Sequence, residues 1–191
     1  MARDIRVIII KMCDRLHNMY TLGIMRPDKR RRISNETLEY YVPIAERLGM
    51  NNFKLEFEEL CFANKHPNRS RTISATASLV RSRRAESAEQ VRDNIQKRLL
   101  DEGINARVSV REKHLYGIYQ KLQSKGKVEE LSDVFNCRIV VDKVDACYRA
   151  LGIAHSMFKP KPDEIKDYVA IPKQNGYQSL HTVLIGSNGT P

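Results

Sequence analysis

The chain has 191 residues, 41% of them hydrophobic, which is enough to bury a core and to form one or two small domains. Its formal net charge of +10 at pH 7 favours an anionic ligand, whether a nucleotide, a nucleic acid or a membrane surface. The longest early apolar run, residues 7–10, is too short for a signal peptide or a membrane span, so we expect a cytoplasmic protein with no membrane partner.

Helical periodicity dominates the first hundred residues. Amphipathic helices are predicted at residues 4–22, 27–48, 52–64 and 88–102. Residues 69–84 carry five arginines among small polar residues, and their mediocre helix propensity predicts a flexible connector. The basic run at residues 26–32 is typical of a solvated helix face, with nucleic-acid contact as the alternative.

Strands and helices alternate in the rest of the chain. Alternating apolar residues and short apolar runs predict strands at residues 105–110, 135–141, 168–171 and 180–185. Helical spacing predicts helices at about 115–122 and 145–157. Together with the helical first half, these elements predict an α+β fold.

The four cysteines form no C-x-x-C pair: they are Cys13, Cys61, Cys137 and Cys147. Most of them have apolar neighbours in the sequence. This pattern favours reduced core thiols over disulfides or a zinc site.

Two helical faces carry polar groups that need a partner. Asp14, with Lys11 and Asn18, forms a polar stripe on the first helix, and its partner is either a salt bridge or a metal ion. Lys113 and Lys121 lie on one face of a later helix, just after Arg111. Stacked cations repel each other by a few tenths of a kcal/mol, so an anionic ligand explains them better than a solvated lysine face.

The densest group of chemically active side chains lies in residues 166–182, KDYVAIPKQNGYQSLHT. The Asn-Gly pair predicts a turn between two strands, which would bring together at one end Lys173, Asn175, Tyr177, Gln178 and His181. Lysine suits phosphate, exposed tyrosine can stack on a base, and asparagine or glutamine can bind a base edge. A nucleotide site and a polar hairpin with a buried tyrosine are both compatible with these residues alone.

Three motifs resemble those of RelA/SpoT proteins, the enzymes that make and destroy the alarmones (p)ppGpp. Residues 10–19, IKMCDRLHNM, resemble the last signature helix of the family's HD hydrolase domain. Residues 111–116, REKHLY, resemble the R-x-K-H-x-Y motif at the ATP-binding edge of the synthetase. Residues 166–182 match the core signature of the synthetase. The resemblance covers essentially the whole chain, and SpoT-type members are the nearest comparison.

The resemblance implies three parts. Residues 1–66 would be the end of an all-helical HD-type hydrolase domain, 67–103 a helical connector, and 104–191 a nucleotidyltransferase-like synthetase domain with a mixed sheet. The family pattern also implies that Met1 is an internal methionine of a longer protein. The chain would end before the E-x-Q-x-R strand that carries the catalytic glutamate, so we expect it to be inactive by itself.

The implied activity is pyrophosphate transfer from ATP to the 3′-hydroxyl of GDP or GTP, together with hydrolysis of (p)ppGpp to GDP or GTP plus pyrophosphate. The implied ligands are therefore ATP, GDP or GTP, and (p)ppGpp. The implied metal ions are Mg²⁺ for the synthetase and Mn²⁺ for the hydrolase. Contacts with the ribosome or a regulatory protein would be made by other parts of a longer protein.

The resemblance also assigns roles to residues. Asp14 corresponds to a hydrolase metal ligand and Asn18 to a residue that holds the nucleotide, although the chain has no His-Asp dipeptide to complete the metal site. In the synthetase, Asp133 would bind Mg²⁺. The nucleotide-binding set would comprise Arg111 at the adenine, Lys113 and Lys121 at the ATP phosphates, Tyr177 on the guanine, Lys166 and Lys173 at phosphates, and Asn175, Gln178 and His181 around them.

Four positions depart from the family pattern. Val110 and Gly117 stand where the family usually has glycine and serine, and Asp163-Glu164 stands where bifunctional members usually have Gly-Arg. Two acids should weaken phosphate binding there, so we expect a weak or lost synthetase. The alternatives are a non-catalytic guanine-nucleotide sensor and, from the charge alone, a basic RNA-binding module.

Overall fold

A computed structural model describes residues 4–125 and 135–186. The chain divides into two units, the first comprising Met1–Ala75 with His114–Gln120, and the second Thr76–Lys113 with Lys121–Pro191. The domain boundaries implied by the resemblance stay a prediction.

Helices build the first unit. They are α1 (Ile5–Tyr20), a 3-10 turn (Leu22–Ile24), α2 (Pro27–Glu36), a π-helical turn (Thr37–Tyr41), α3 (Val42–Arg47), α4 (Asn51–Lys65) and the first part of α5 (Pro67–Asp101). Asp4 begins α1 by accepting the backbone N–H of Arg6, and Pro27 occupies the first turn of α2, where no N–H is needed. The core of this unit is a cluster of buried side chains: Met12, Met19, Leu22, Val42, Ala45, Phe57 and Cys61.

The helix predicted at residues 27–48 is present but contains a π-helical turn at Thr37–Tyr41. Pro43 lies two residues after this turn, in the first turn of α3. Because proline has no N–H and its ring clashes with the carbonyl four residues earlier, the regular α-helical hydrogen bonding is interrupted before Pro43 and begins again in α3.

The second unit combines short antiparallel strand pairs with helices. Its elements are the rest of α5, β1 (Ala106–Glu112), the end of α6 (Leu115–Lys125), β2 (Phe135–Val141), α7 (Val144–Met157), β3 (Lys159–Pro160), β4 (Lys166–Asp167), β5 (Leu180–His181) and β6 (Leu184–Ile185). β1 pairs with β2, β3 with β6, and β4 with β5. The core consists of Ile95, Leu99, Ile104, Val108 and Ala150. The α+β class is confirmed. The described strand pairs are all antiparallel, whereas the resemblance implied a mixed sheet.

The prediction of a flexible connector at residues 69–84 is wrong, because these residues lie inside the 35-residue helix α5. No glycine or proline occurs between Pro67 and the end of the helix. Once a helix is nucleated, each further residue of moderate propensity extends it with one hydrogen bond, so a weak stretch stays helical between stronger ones.

Two further predictions need correction. The strand predicted at residues 168–171 is a turn, because the Asp167 side chain accepts the backbone N–H groups of Val169 and Ala170 and ends β4. The strand predicted at 180–185 divides into β5 and β6, which pair with different partners.

Cys61 is buried as expected, but Cys13 and Cys137 are exposed. None of the helices in the described ranges is both long enough and apolar enough to cross a membrane.

The helical state of α5 can be tested at Ser87, an exposed residue in the middle of the helix. We expect Ser87→Pro to cost about 3 kcal/mol or more and to lower the helical circular dichroism, since proline breaks a helix interior. Ser87→Ala is the matched control and should cost nothing. Urea unfolding of both variants measures the difference, and equal stability would contradict a helix at this position.

Candidate functional site

A hairpin formed by β4 and β5 carries most of the predicted site. Lys166 lies opposite His181 in the antiparallel register. Between the strands, the Gly176 N–H donates to the Lys173 carbonyl at 2.8 Å, and the Lys173 N–H donates to the Tyr177 carbonyl at 3.2 Å. Gly176 has a φ of +75°, which glycine adopts without steric cost. The turn predicted from Asn-Gly is thereby confirmed.

Two aromatic residues, a histidine and a lysine meet at this hairpin. Tyr177 Oη and His181 Nε2 share a hydrogen bond of 2.9 Å. The Lys173 ammonium lies 5.0 Å from the ring centroid of Tyr168 and 5.5 Å from that of Tyr177. The Tyr168 and His181 rings meet edge to face, with centroids 5.2 Å apart. We call these four residues the hairpin cluster.

Charge and exposure make the hairpin cluster suited to an anion with an aromatic part. Tyr177 is 40% exposed, which argues against a hairpin built around a buried tyrosine. Partial burial, followed by the positive charges of Lys173 and Lys166, holds the pKa of His181 below its ordinary value. His181 is therefore neutral near pH 7, and the positive charge comes from the two lysines.

Helix α7 holds the hairpin at two points. The Tyr148 hydroxyl donates to Asp167 Oδ2 at 3.0 Å, and His155 Nε2 lies 3.0 Å from Thr182 Oγ1. The other Asp167 oxygen accepts the Val169 and Ala170 N–H groups at 2.9 and 2.8 Å. Hydrogen bonding, led by the Ala170 N–H, lowers the pKa of Asp167.

The remaining predicted hairpin residues have structural partners. Asn175 Oδ1 accepts the Tyr177 N–H at 3.1 Å, and the Gln178 side-chain amide donates to the Val169 carbonyl at 3.3 Å. Both side chains therefore stabilise the turn, and base recognition by either of them stays a prediction.

The two acids that depart from the family pattern lie in a turn before β4. Asp163 has a φ of +64°, a left-handed conformation that aspartate tolerates better than most residues. Glu164 forms an ion pair with Lys161, with Lys161 Nζ 2.8 Å from Glu164 Oε1. Because this pair offsets the charge of Glu164, the repulsion of a phosphate is smaller than two unpaired acids would cause.

The end of β1 carries another part of the predicted site. Arg111 is exposed at the end of β1, Lys113 is half-buried in the link that follows, and Lys121 lies on α6. The prediction that Lys113 and Lys121 share one helix face is wrong, because α6 begins only at Leu115. Arg81 of α5 contacts the two residues that follow Arg111. Its Nε lies 3.0 Å from Glu112 Oε2, and its Nη2 donates to the Lys113 carbonyl at 3.4 Å. No pattern in the sequence indicated this role for Arg81.

In the first unit, two adjacent acids of α4 hold the start of α6. Glu58 Oε2 lies 3.2 Å from His114 Nε2, and Glu59 Oε1 accepts the Tyr116 N–H at 3.1 Å. The second contact satisfies a backbone donor in the first turn of a helix, where the helix itself offers no acceptor. A side chain at Gly117 would place its Cβ 3.1 Å from the His114 ring, so glycine makes room for the imidazole.

The residues assigned to the hydrolase lie on α1. Asp14 is exposed, and its partner is Asn18, whose amide donates to Asp14 Oδ2 at 3.4 Å. The salt bridge that the sequence analysis considered for Asp14 is found at the next residue, where Arg15 Nη2 lies 2.5 Å from Glu36 Oε1. Within residues 4–125 and 135–186, no three His, Cys, Asp or Glu side chains are grouped to hold a metal ion. The described residues therefore do not fit a Mn²⁺ site at Asp14, and Asp133 lies outside them.

The structure thus brings together Lys173, Tyr177 and His181, with Lys166 beside them in the register. Arg111 lies on β1, Lys113 in the link after it and Lys121 on α6. Sequence reasoning missed Tyr168, because a tyrosine next to valine and alanine is typical of a strand interior. No local pattern in the sequence reveals its contacts, because they depend on the pairing of β4 with β5.

Glu59 provides a test of the contact between α4 and α6. Glu59→Ala should destabilise the protein by about 1 kcal/mol, as loss of a helix-capping oxygen does, and should speed hydrogen exchange at the Tyr116 amide. Glu59→Gln keeps an acceptor oxygen and should change both quantities less. Denaturant unfolding and amide exchange measure them, and equal effects of the two substitutions would contradict the capping role.

Asp167 predicts a dependence on pH. Its pKa is lower in the folded chain than the value of about 3.9 expected for an unfolded one, so its stabilising effect is complete above that value and is lost as the pH falls through the folded pKa. The Val169 and Ala170 amide resonances should follow this titration, and Asp167→Asn should abolish it. A carboxyl that titrates at or above 3.9 would contradict the assignment.

Comparisons with known proteins agree with both halves of the chain. Residues 110–191 match the region found in RelA / SpoT proteins, and residues 1–51 match an HD domain. Both families generally use divalent metal ions.

Curated relatives match over nearly the full chain. It is 52% identical to the bifunctional (p)ppGpp synthase/hydrolase SpoT of Escherichia coli (strain K12), over 100% of this chain and 27% of that protein. It is 50% identical to the guanosine-3′,5′-bis(diphosphate) 3′-pyrophosphohydrolase of Vibrio cholerae, with the same shares covered. It is 40% identical to the GTP pyrophosphokinase rsh of Brucella melitensis, over 97% of this chain and 25% of that protein. The chain spans about a quarter of the length of these relatives, and it belongs to the RelA/SpoT family.

Proposed function

We propose that the chain acts in (p)ppGpp metabolism and that its C-terminal hairpin binds the guanine nucleotide. The observation that carries the proposal is the hairpin cluster, in which Tyr177, Lys173 and His181 meet within the segment that matches the RelA/SpoT region. An aromatic face beside a cation suits a nucleotide, because the base and the phosphates need different partners.

The proposed contacts follow from the chemistry of each side chain. Tyr177 stacks on the guanine, an interaction worth roughly 1–3 kcal/mol per base. Lys173 and Lys166 bind phosphates. His181 is neutral because its pKa is lowered, so it can donate a hydrogen bond to a phosphate without adding to the repulsion between the lysines.

For the second substrate, we propose that Arg111, Lys113 and Lys121 bind ATP, with Arg111 at the adenine and the lysines at the phosphates. The exposure of Arg111 at the end of β1 supports this role. The transfer would move the β,γ-pyrophosphate of ATP to the 3′-hydroxyl of GDP or GTP. Asp133, proposed as the Mg²⁺ ligand, lies outside the described residues.

We propose no hydrolytic step for the described residues, since Asp14 and Asn18 do not form a Mn²⁺ site by themselves. The ion pair between Lys161 and Glu164 supports retained nucleotide binding at the synthetase, because only Asp163 is left to repel a phosphate. A lowered catalytic rate stays a prediction.

Calorimetry with GDP, ATP and a short RNA tests the proposal. We expect GDP to bind, and Tyr177→Ala to weaken its binding about tenfold or more, as loss of one stacked base predicts. Tyr177→Phe keeps the ring and should bind nearly as the wild type does. Tyr20→Ala removes an exposed tyrosine of α1 and serves as the control.

Three outcomes would contradict the proposal. The first is absence of GDP binding to the wild-type chain, and the second is GDP affinity that does not change in Tyr177→Ala. The third is RNA binding that falls steeply with salt and shows no preference for nucleotides, which would favour the basic RNA-binding alternative.

A further inference from the structure

Tyr168 lies at the centre of the hairpin cluster without being assigned a ligand contact. Its backbone N–H donates to the Ser179 carbonyl at 2.9 Å, which continues the pairing of β4 and β5 by one hydrogen bond. The residue is half-buried, in contrast to the exposed Lys173 and Tyr177. Its position is therefore set by the backbone of the hairpin.

The ring of Tyr168 contacts each of the proposed nucleotide-binding groups of the hairpin cluster. The His181 ring meets it at an interplanar angle of 83° and the Tyr177 ring at 61°, with centroids 5.2 and 6.4 Å away. The Lys173 ammonium lies 5.0 Å from its centroid. These are the edge-to-face and cation–π geometries that aromatic rings favour.

Such contacts restrict side chains that would otherwise move freely. Lysine has four rotatable bonds and loses much conformational freedom when a ligand fixes it. A ring that already contacts the ammonium and packs edge to face against the His181 imidazole restricts both side chains, which removes part of this cost before the ligand arrives. The Asp167 carboxylate contributes by fixing the turn that follows the tyrosine.

We propose that Tyr168 is a positioning residue, which holds Lys173, Tyr177 and His181 in the arrangement that binds the guanine nucleotide. The inference rests on the proposed function for its ligand. It adds that the aromatic ring of Tyr168, and not its hydroxyl, sets the affinity of the site for the guanine nucleotide while leaving ATP binding unchanged.

The test compares Tyr168→Leu, which removes the ring, with Tyr168→Phe, which keeps it. Calorimetry should show GDP binding about tenfold weaker in Tyr168→Leu and within about threefold of the wild type in Tyr168→Phe, as loss of aromatic and cation–π contacts predicts. ATP binding should be the same in all three proteins. If Tyr168→Leu does not fold, Tyr168→Met takes its place, since methionine also fills the volume without a ring.

A second measurement needs no nucleotide. The pKa of His181, followed by NMR, is lowered in part by its packing and by Lys173. It should rise toward its ordinary value in Tyr168→Leu and stay low in Tyr168→Phe. A residue that only stabilised the fold would weaken GDP and ATP binding alike and leave this titration unchanged.

The outcomes separate the two proposals. Absence of GDP binding to the wild-type chain contradicts the proposed function. GDP binding that is equally strong in the wild type and in Tyr168→Leu contradicts the positioning role alone. Weaker GDP binding in Tyr168→Leu, with unchanged ATP binding and a raised His181 pKa, supports both.

Discussion

The geometry of the C-terminal site depends on the carboxylate of Asp167. One of its oxygens ends β4 by accepting two backbone N–H groups, and the other accepts the Tyr148 hydroxyl of α7. Without the first pair of bonds the chain could continue as a strand, which would carry alternate side chains to opposite faces. With these two hydrogen bonds, the chain turns after Tyr168, and the ring of Tyr168 lies beside Lys173, Tyr177 and His181. A single side chain thus determines both where the strand ends and what the hairpin presents.

In the first unit, too, an acidic side chain accepts a hydrogen bond from a backbone N–H group. Glu58 and Glu59 are adjacent on α4, yet one contacts a histidine and the other a backbone N–H of α6. Neighbouring residues on a helix point about 100° apart, so the two acids contact two different groups at the start of α6. The motif at residues 111–116 therefore contains residues of two kinds. Arg111 is exposed, whereas Glu112 and His114 contact α5 and α4.

The sequence was a good guide to elements with strong periodicity and a poor guide to elements controlled by single side chains. Apolar spacing predicted α1, α4 and α7, and alternation predicted β1 and β2, all close to their observed bounds. It failed for residues 69–84 of α5, where the helix has little amphipathic pattern, although it predicted the end of α5 at residues 88–102. It also failed for the strand after Asp167, where a side-chain hydrogen bond overrides the propensity of Val169 and its neighbours. At the candidate site, the residue types alone predicted that Lys173, Tyr177 and His181 would lie together at one end of a hairpin, and they do. Tyr168 could not be predicted, since its contacts depend on the register of β4 and β5, which no local pattern reveals.

The Asn-Gly turn has a chemical consequence of its own. Asparagine followed by glycine is the sequence most prone to deamidation, in which the glycine backbone nitrogen attacks the asparagine side chain and closes a succinimide ring. Here the Gly176 nitrogen donates its hydrogen to the Lys173 carbonyl, and the Asn175 oxygen is held by the Tyr177 N–H. Both reacting groups are engaged elsewhere, so the fold slows the reaction. The protection matters because deamidation would add a carboxylate to the turn that carries Lys173, which is proposed to bind phosphate, and the added negative charge would weaken phosphate binding.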